Sequence, residues 1–312
     1  MRAAWPDARL DWLVDGRYRA LLDFVPILDH VIVTGRGQEP ALGVARALRR
    51  QRYDLAVDFQ GLIKSAVWAR ASGARQVVGF GAAGLRERAA GLFYTARAEA
   101  DDSGHVIAKN LSMLRHVGIE PGPWVFPLVP PMTPIVAEVR ARLGIGGSDR
   151  FAVINPGAGW PNKRWPPERF GQVAAGLAER HGLKSVILWG PGEQPLATTV
   201  AAASGGTAIS APPTGLGDVL ALCRAASLFV AGDTGPLQIA AAMGTPIVAV
   251  FGPTNPARNG PWSPSDVSLS RFDRCECHHK RQCRREIPCL LDIGVKDVNE
   301  SIDHRLTPET AS

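Results

Sequence analysis

The sequence predicts an α/β protein of two Rossmann-like domains, and three observations carry that expectation. Apolar runs of strand length alternate with helix-like segments along the 312 residues, which implies parallel sheets with right-handed crossovers. A proline-dense stretch, Pro127-Leu-Val-Pro-Pro-Met-Thr-Pro134, divides the alternation and reads as an interdomain linker between domains over 1–130 and 131–312. Between Phe229 and Thr254 an apolar run breaks at Gly232, passes through Asp233-Thr234-Gly235-Pro236 and enters a helix-like segment, the layout of a strand that delivers a helix N-terminus to a ligand. Two such domains are expected to face each other across a cleft.

Taken in order, the first half holds short strands at Leu10–Val14, His30–Val33, Leu55–Phe59 and Gln76–Gly79, with helices at Gly43–Arg52, Gly61–Ala71 and His105–Val117. The second half repeats the rhythm more cleanly. Its strands are Phe151–Asn155, Ser185–Trp189, Ala208–Ser210, Leu228–Ala231 and Ile247–Phe251, alternating with helices Pro167–His181, Gln194–Ala203, Leu216–Ala225 and Leu237–Met243. Only Met1–Ala8 precedes the first strand, and Arg2-Ala-Ala-Trp-Pro-Asp reads as the tail of a helix. A doubly wound half normally opens with a central strand and a glycine-rich loop, so that N-terminal strand-loop unit is expected to be missing.

An apolar content of 46% suffices for a core in each half, and the 33 glycines and 25 prolines punctuate turns without a low-complexity period. No apolar run approaches the roughly 20 residues that span a bilayer, and Met1-Arg-Ala-Ala-Trp-Pro lacks a signal-peptide core, so a cytoplasmic location is expected. The net charge of +6 is uneven. Arg46, Arg49, Arg50 and Arg52 cluster, as do Lys280, Arg281, Arg284 and Arg285, which suits an anionic partner such as a phosphorylated lipid surface. Nucleic acid is not expected, because interleaved aromatics and helix-turn-helix, RNP or zinc-finger spacings are missing.

Chemistry is expected at the carboxyl edge of the second sheet. A helix N-terminus there carries unpaired amides and a partial positive charge, so Asp233, Thr234, Gly235 and Pro236 form an anion cradle, unless Asp233 only caps the helix. Gly252-Pro253-Thr254 forms a second turn at the same edge. In Asn155-Pro-Gly-Ala-Gly-Trp-Pro-Asn-Lys-Arg-Trp-Pro166, Gly157 and Gly159 allow close ligand approach and Lys163 supplies a point charge for a diphosphate. Glu193 sits at a third strand end, where it either accepts from ribose hydroxyls or caps a helix. Gly79-Phe-Gly-Ala-Ala-Gly84 matches a dinucleotide pattern, but no second strand with an acidic end follows it. P-loop, nucleophile-elbow and HExxH motifs are absent from the sequence. Cys275, Cys277, Cys283 and Cys289, with His278 and His279 among them, pose a choice between reduced thiols and a structural zinc knot.

These residues together resemble glycosyltransferase family 9, the ADP-heptose:lipopolysaccharide heptosyltransferases. The resemblance rests on Gly232-Asp-Thr-Gly-Pro-Leu-Gln-Ile-Ala-Ala-Ala, Phe251-Gly-Pro-Thr254 and the Lys163-Arg-Trp-Pro166 turn. Asp58-Phe-Gln-Gly-Leu-Ile-Lys-Ser65, Arg86-Glu87 and Leu92-Phe-Tyr94 look most like heptosyltransferase I. The resemblance implies a GT-B fold, inversion at the anomeric carbon and no cofactor or catalytic metal. It implies ADP-heptose as donor, an anionic Kdo-lipid A core as acceptor, and work at the inner face of the cell membrane. Asp233, Thr234 and Gly235 would hold sugar and diphosphate, Lys163 the diphosphate and Glu193 the ribose, while Lys64, Arg86 and the basic N-domain surface would meet the acceptor. Gln238 stands where many members have His and reaches the donor. The family's general base belongs to the N-terminal strand-loop unit, which makes an impaired or non-catalytic nucleotide-sugar-binding homologue the alternative.

Overall fold

The computed structural model describes residues 1–35, 40–100, 104–278, 280–283, 285 and 288–307. The chain divides into two compact units, Met1–Pro127 and Leu128–Ser312. The first runs β1 (Asp11–Asp15), α1 (Arg19–Leu22), β2 (His30–Thr34), α2 (Ala41–Arg50), β3 (Leu55–Val57), α3 (Ile63–Ala71), β4 (Gln76–Phe80), β5 (Ala96–Ala98) and α4 (Val106–Ser112). The second runs α5 (Ile135–Leu143), β6 (Phe151–Asn155), α6 (Pro167–His181), β7 (Lys184–Ile187), α7 (Gln194–Ala203), β8 (Ala208–Ser210), α8 (Leu216–Ala225), β9 (Leu228–Gly232), α9 (Gly235–Ala242), β10 (Ile247–Phe251), α10 (Pro256–Asn259), β11 (Val267–Ser270) and α11 (Val295–Leu306).

The second unit is a three-layer sandwich around one parallel sheet ordered β11-β10-β9-β6-β7-β8. Its inner strands Phe-Ala-Val-Ile-Asn, Leu-Phe-Val-Ala-Gly and Ile-Val-Ala-Val-Phe are buried throughout, as strands covered on both faces require. Alternate residues feed two cores. Phe151 and Val153 meet α5, α8 and α9 on one face, and Ala152 and Ile154 meet α6, α7 and α11 on the other. Helix α6 shows the local logic: Pro167 opens it, Phe170, Val173, Ala174 and Leu177 form one buried stripe, and Gly182 in the left-handed conformation closes it. The strand order places a topological switch point between β6 and β9, where loops leaving their carboxyl ends diverge.

The first unit departs from a continuous doubly wound sheet. It holds a two-stranded ladder, β1-β2, and a three-stranded ladder, β3-β4-β5, all parallel. Among the described residues β1 pairs with β2 alone and β3 with β4 alone, so each keeps one unpaired edge. Side chains bridge the two ladders instead: Arg9 Nη1 donates to Gln51 Oε1 (2.6 Å), Tyr53 Oη to Asp11 Oδ2 (2.5 Å) and Lys64 Nζ to Asp15 Oδ2 (3.1 Å). The three strand residues of β3 are only half-buried, unlike those of β6 or β10.

Helix α3 starts at Ile63 rather than Gly61, because Gly61 adopts φ +66° in the turn before it. The helix expected over His105–Val117 is α-helical to Ser112 and then tightens to a 3-10 turn over Met113–Val117, closed by Gly118 in the left-handed conformation. Helix α9 begins two residues earlier than expected, at Gly235, since Thr234 is its cap. The Gly79–Gly84 pattern serves packing: a side chain on Gly79 would lie 2.1 Å from the Tyr94 ring, and one on Gly84 3.1 Å from Phe80. No described helix is long and apolar enough to cross a membrane.

Candidate active site

The switch point brings together what the sequence keeps apart. The loop after β6 makes a short 3-10 turn over Pro161–Lys163, and its backbone crosses the end of β9 so closely that a side chain on Gly232 would lie 3.1 Å from Lys163 O. The lack of a side chain at Gly232 lets the loop run this close to the edge without displacement. Lys163 Nζ then sits 2.6 Å from Asp233 Oδ2, an ion pair whose side chains are 15% and 14% exposed. Thr254 Oγ1, from the turn after β10, donates to the same carboxylate oxygen at 2.7 Å. The Trp160 ring lies 4.3 Å from Lys163 Nζ, so the ammonium is fixed by a carboxylate and an aromatic face.

Helix α9 leads away from this pair. Thr234 caps it, its Oγ1 accepting from Leu237 N–H (3.3 Å), and Pro236 has no amide hydrogen. The Gly235 N–H, first in the helix, is one of the donors that a helix N-terminus leaves without an intrahelical partner. Thr234 rather than Asp233 caps α9, and Glu193 occupies the N-cap position of α7 without a side-chain bond to that helix. Instead Glu193 Oε2 accepts from Gly190 N–H (3.0 Å), and its carboxylate packs on Gly157, where a methyl group would lie 2.1 Å from Oε2. Gly157 and Glu193 therefore interlock the loops after β6 and β7. Gln238 lies one turn into α9 and donates from Nε2 to Asn259 O (2.7 Å), tying α9 to α10.

Residues Lys64 and Arg86 lie in the first unit, at the carboxyl edge of its three-stranded ladder. Lys64 holds Asp15 at 3.1 Å, and with Arg17 it keeps the Asp15 carboxyl well below the usual carboxylate range. The exposed Arg86 follows the loop that packs on Gly61. Behind them Asp58 is buried, accepting from Tyr94 Oη (2.7 Å), Ser65 Oγ (2.8 Å) and Gln60 N–H (2.9 Å). Burial first, then the bond to Asp58, pushes the Tyr94 phenol far above its ordinary value.

The cysteines lie together at the edge of the second unit. Cys275, Cys277 and Cys289 are buried against one another, with Cys283 packed on them, and His278 is turned away, its Nε2 within 2.7 Å of Phe272 O and its ring stacked on Phe272. His279 and Arg284 lie outside the described residues. Thr254 and Trp160 are site residues that sequence reasoning left without a role; the Gly-Pro-Thr254 turn at a strand end was the available signal for the first of them.

Comparison with known proteins agrees with this architecture. The profile of glycosyltransferase family 9 (heptosyltransferase) matches residues 41–287. Lipopolysaccharide heptosyltransferase 1 of Pseudomonas aeruginosa is 26% identical over 292 residues, covering 90% of this chain and 80% of that protein. Lipopolysaccharide heptosyltransferase 3 of Escherichia coli is also 26% identical, over 340 residues, covering 100% and 93%. Among solved structures, a family 9 glycosyl transferase from Veillonella parvula superposes with a TM-score of 0.80 at 21% identity, covering 98% of this chain and 90% of that one. E. coli heptosyltransferase WaaC with ADP gives 0.73 at 21%, covering 97% and 89%. With a profile match this long and the α/β architecture of both units, the chain belongs to glycosyltransferase family 9, the heptosyltransferases, and has their GT-B fold.

Proposed function

We propose that the protein is an inverting glycosyltransferase that moves heptose from ADP-heptose to the Kdo-lipid A inner core of lipopolysaccharide, working at the cytoplasmic face of the inner membrane. The observation that carries this reading is the Lys163–Asp233 pair, held at 2.6 Å beside the N-terminus of α9 at the switch point of the second sheet. As the anomeric C–O bond breaks, charge collects on the departing diphosphate. Lys163 and the Gly235 amide stabilise it, each such donor being worth about 10²–10³ in rate, without help from a metal. Asp233, anchored by Thr254, keeps Lys163 in register and accepts from sugar hydroxyls, and Glu193 accepts from the ribose. The acceptor hydroxyl attacks from the face opposite ADP, so the configuration inverts. Lys64, Arg86 and the exposed arginines Arg46, Arg49 and Arg50 of α2 suit an anionic acceptor at a membrane surface.

A second reading, a nucleotide-sugar-binding homologue with impaired turnover, is favoured by the two strand-end carboxylates of the first unit. Asp58 is buried under three donors, and Asp15 is held well below the usual carboxylate range by Arg17 and Lys64, so neither is poised to take a hydroxyl proton. Incubation with ADP-heptose and a Kdo-lipid A acceptor, read by mass spectrometry and by NMR of the new anomeric centre, separates the readings. An inverted product supports the first. ADP binding by calorimetry without product supports the second, and absence of ADP binding overturns both.

A further inference from the structure

We propose that Cys275, Cys277, Cys283 and Cys289 form a tetrathiolate site for one structural, thiolate-preferring divalent metal of the zinc class. The four sulfurs make a continuous set. Cys275 Sγ lies 3.4 Å from Cys277 Sγ, and the Cys289 and Cys283 side chains pack on this pair. Among hydrophobic side chains they form a cluster of their own, separate from the aliphatic cores of the sheet, and Asn162 Nδ2 lies 3.7 Å from Cys277 Sγ. Each thiol is only a weak donor and a weak acceptor, so hydrogen bonding among them does little to hold the four together.

The donor set is the one such a metal takes, four thiolates. As the thiols stand, no three ligating groups among the described residues are set out around an ion. In a tetrahedral site with metal–sulfur bonds of about 2.3 Å, the sulfurs lie about 3.8 Å apart, so Cys275 and Cys277 need to separate by only about 0.4 Å. Among the described residues between β11 and α11 the helical structure is two short 3-10 turns, Phe272–Arg274 and Cys289–Asp292, so their chain can yield. Loading exchanges four S–H protons, released to solvent, for four sulfur–metal bonds and leaves a net dianion. Arg274, Lys280, Arg281 and Arg285 surround that position in sequence. His278 is engaged by Phe272, so among the described residues the donor set is all-sulfur.

The test is metal analysis of the full chain purified under reducing conditions, with zinc as the probe. We expect about one zinc per chain, four thiols protected from a thiol reagent until a chelator or mercurial is added, and zinc released as they react. C277S and C289S should lose the metal, whereas C223S, which changes the buried cysteine of α8, should keep it. If the serine variants do not fold, adding zinc to metal-stripped wild-type protein still decides the matter: it should raise the melting temperature and re-protect the four thiols. A folded wild type that takes up no zinc, with all four thiols reacting at once or joined as disulfides, would overturn the assignment.

Discussion

Replacing Lys163 by Met removes the ammonium while leaving most of the aliphatic stem on Trp160. At 2.6 Å and an effective dielectric of 20, the attraction to Asp233 is about 6 kcal/mol before desolvation is subtracted. Both partners are mostly buried but not sealed, so breaking the pair on one side should cost about 2–3 kcal/mol. In a unit of this size that lowers the melting temperature by roughly 5–10 °C. The double variant Lys163→Met, Asp233→Asn should recover part of the loss, because the amide still accepts from Thr254 and no charge is stranded. ADP affinity should fall in both variants by about tenfold or more, the worth of one charge-assisted contact. Thermal unfolding and titration calorimetry on the four proteins of the cycle provide the assay. A single variant with wild-type melting temperature and wild-type ADP affinity would refute the reasoning at both levels.

Three further outcomes follow from the geometry. Gly157→Ala should drive its methyl into Glu193, separate the loops after β6 and β7 and cost about 1–3 kcal/mol, whereas Gly159→Ala, with nothing within 4 Å, should be near neutral; chemical denaturation compares the two. Arg305→Met leaves Asp266, 3% exposed, without its cation, at a cost of about 3 kcal/mol near neutral pH. Burial already raises the Asp266 carboxyl, and losing Arg305 raises it further. Its native value then lies above its unfolded value, so the relative stability is present at low pH and lost as pH rises, and the variant's deficit should shrink near about pH 4 in denaturation curves. In the first unit Asp11 and Asp15 are shifted the other way. Burial alone would raise Asp11, but Arg9, Tyr53 and His30 together hold it low, and Arg17 and Lys64 hold Asp15 low. Their contribution is present above the ordinary carboxylate range and lost as pH falls through it, so acidification below about pH 4 should loosen this unit first, as residue-resolved NMR would report.

The second unit was legible because its local signals agree with one another. β6, α6, α7, β8 and α8 coincide with the expected segments, since buried strands are continuous apolar runs and Pro167 and Gly182 mark the ends of α6. Helix α5 was hidden by the prolines that precede it, and β11 by its short polar Val-Ser-Leu-Ser sequence, which is only half-buried at the sheet edge. Helix α11 was hidden beyond the cysteine segment, its Val298 and Ile302 the only fully buried points in a polar stretch. At the site, the anion cradle could be read from Asp233-Thr-Gly-Pro. The Lys163–Asp233 contact could not, because it joins residues 70 positions apart and depends on β9 lying beside β6. Gln238 reads as a donor ligand in the family pattern, and nothing local to it announces the bond to Asn259.

The split sheet of the first unit has a consequence for how that unit opens. Ladder hydrogen bonds are cooperative along a strand, whereas the Arg9–Gln51, Tyr53–Asp11 and Lys64–Asp15 bridges are separate and partly exposed, so they can release one at a time. The β1-β2 ribbon can therefore swing out as a foldon while β3-β4-β5 stays folded on Tyr94 and Met113. Amide exchange should follow that order, fast in Trp12–Val14 and slower in Val77–Phe80. Because Asp15 rides on the ribbon and Lys64 on α3, which packs beside the three-stranded ladder, each opening also frees the Lys64 ammonium, linking local breathing of the fold to the charge available at its surface.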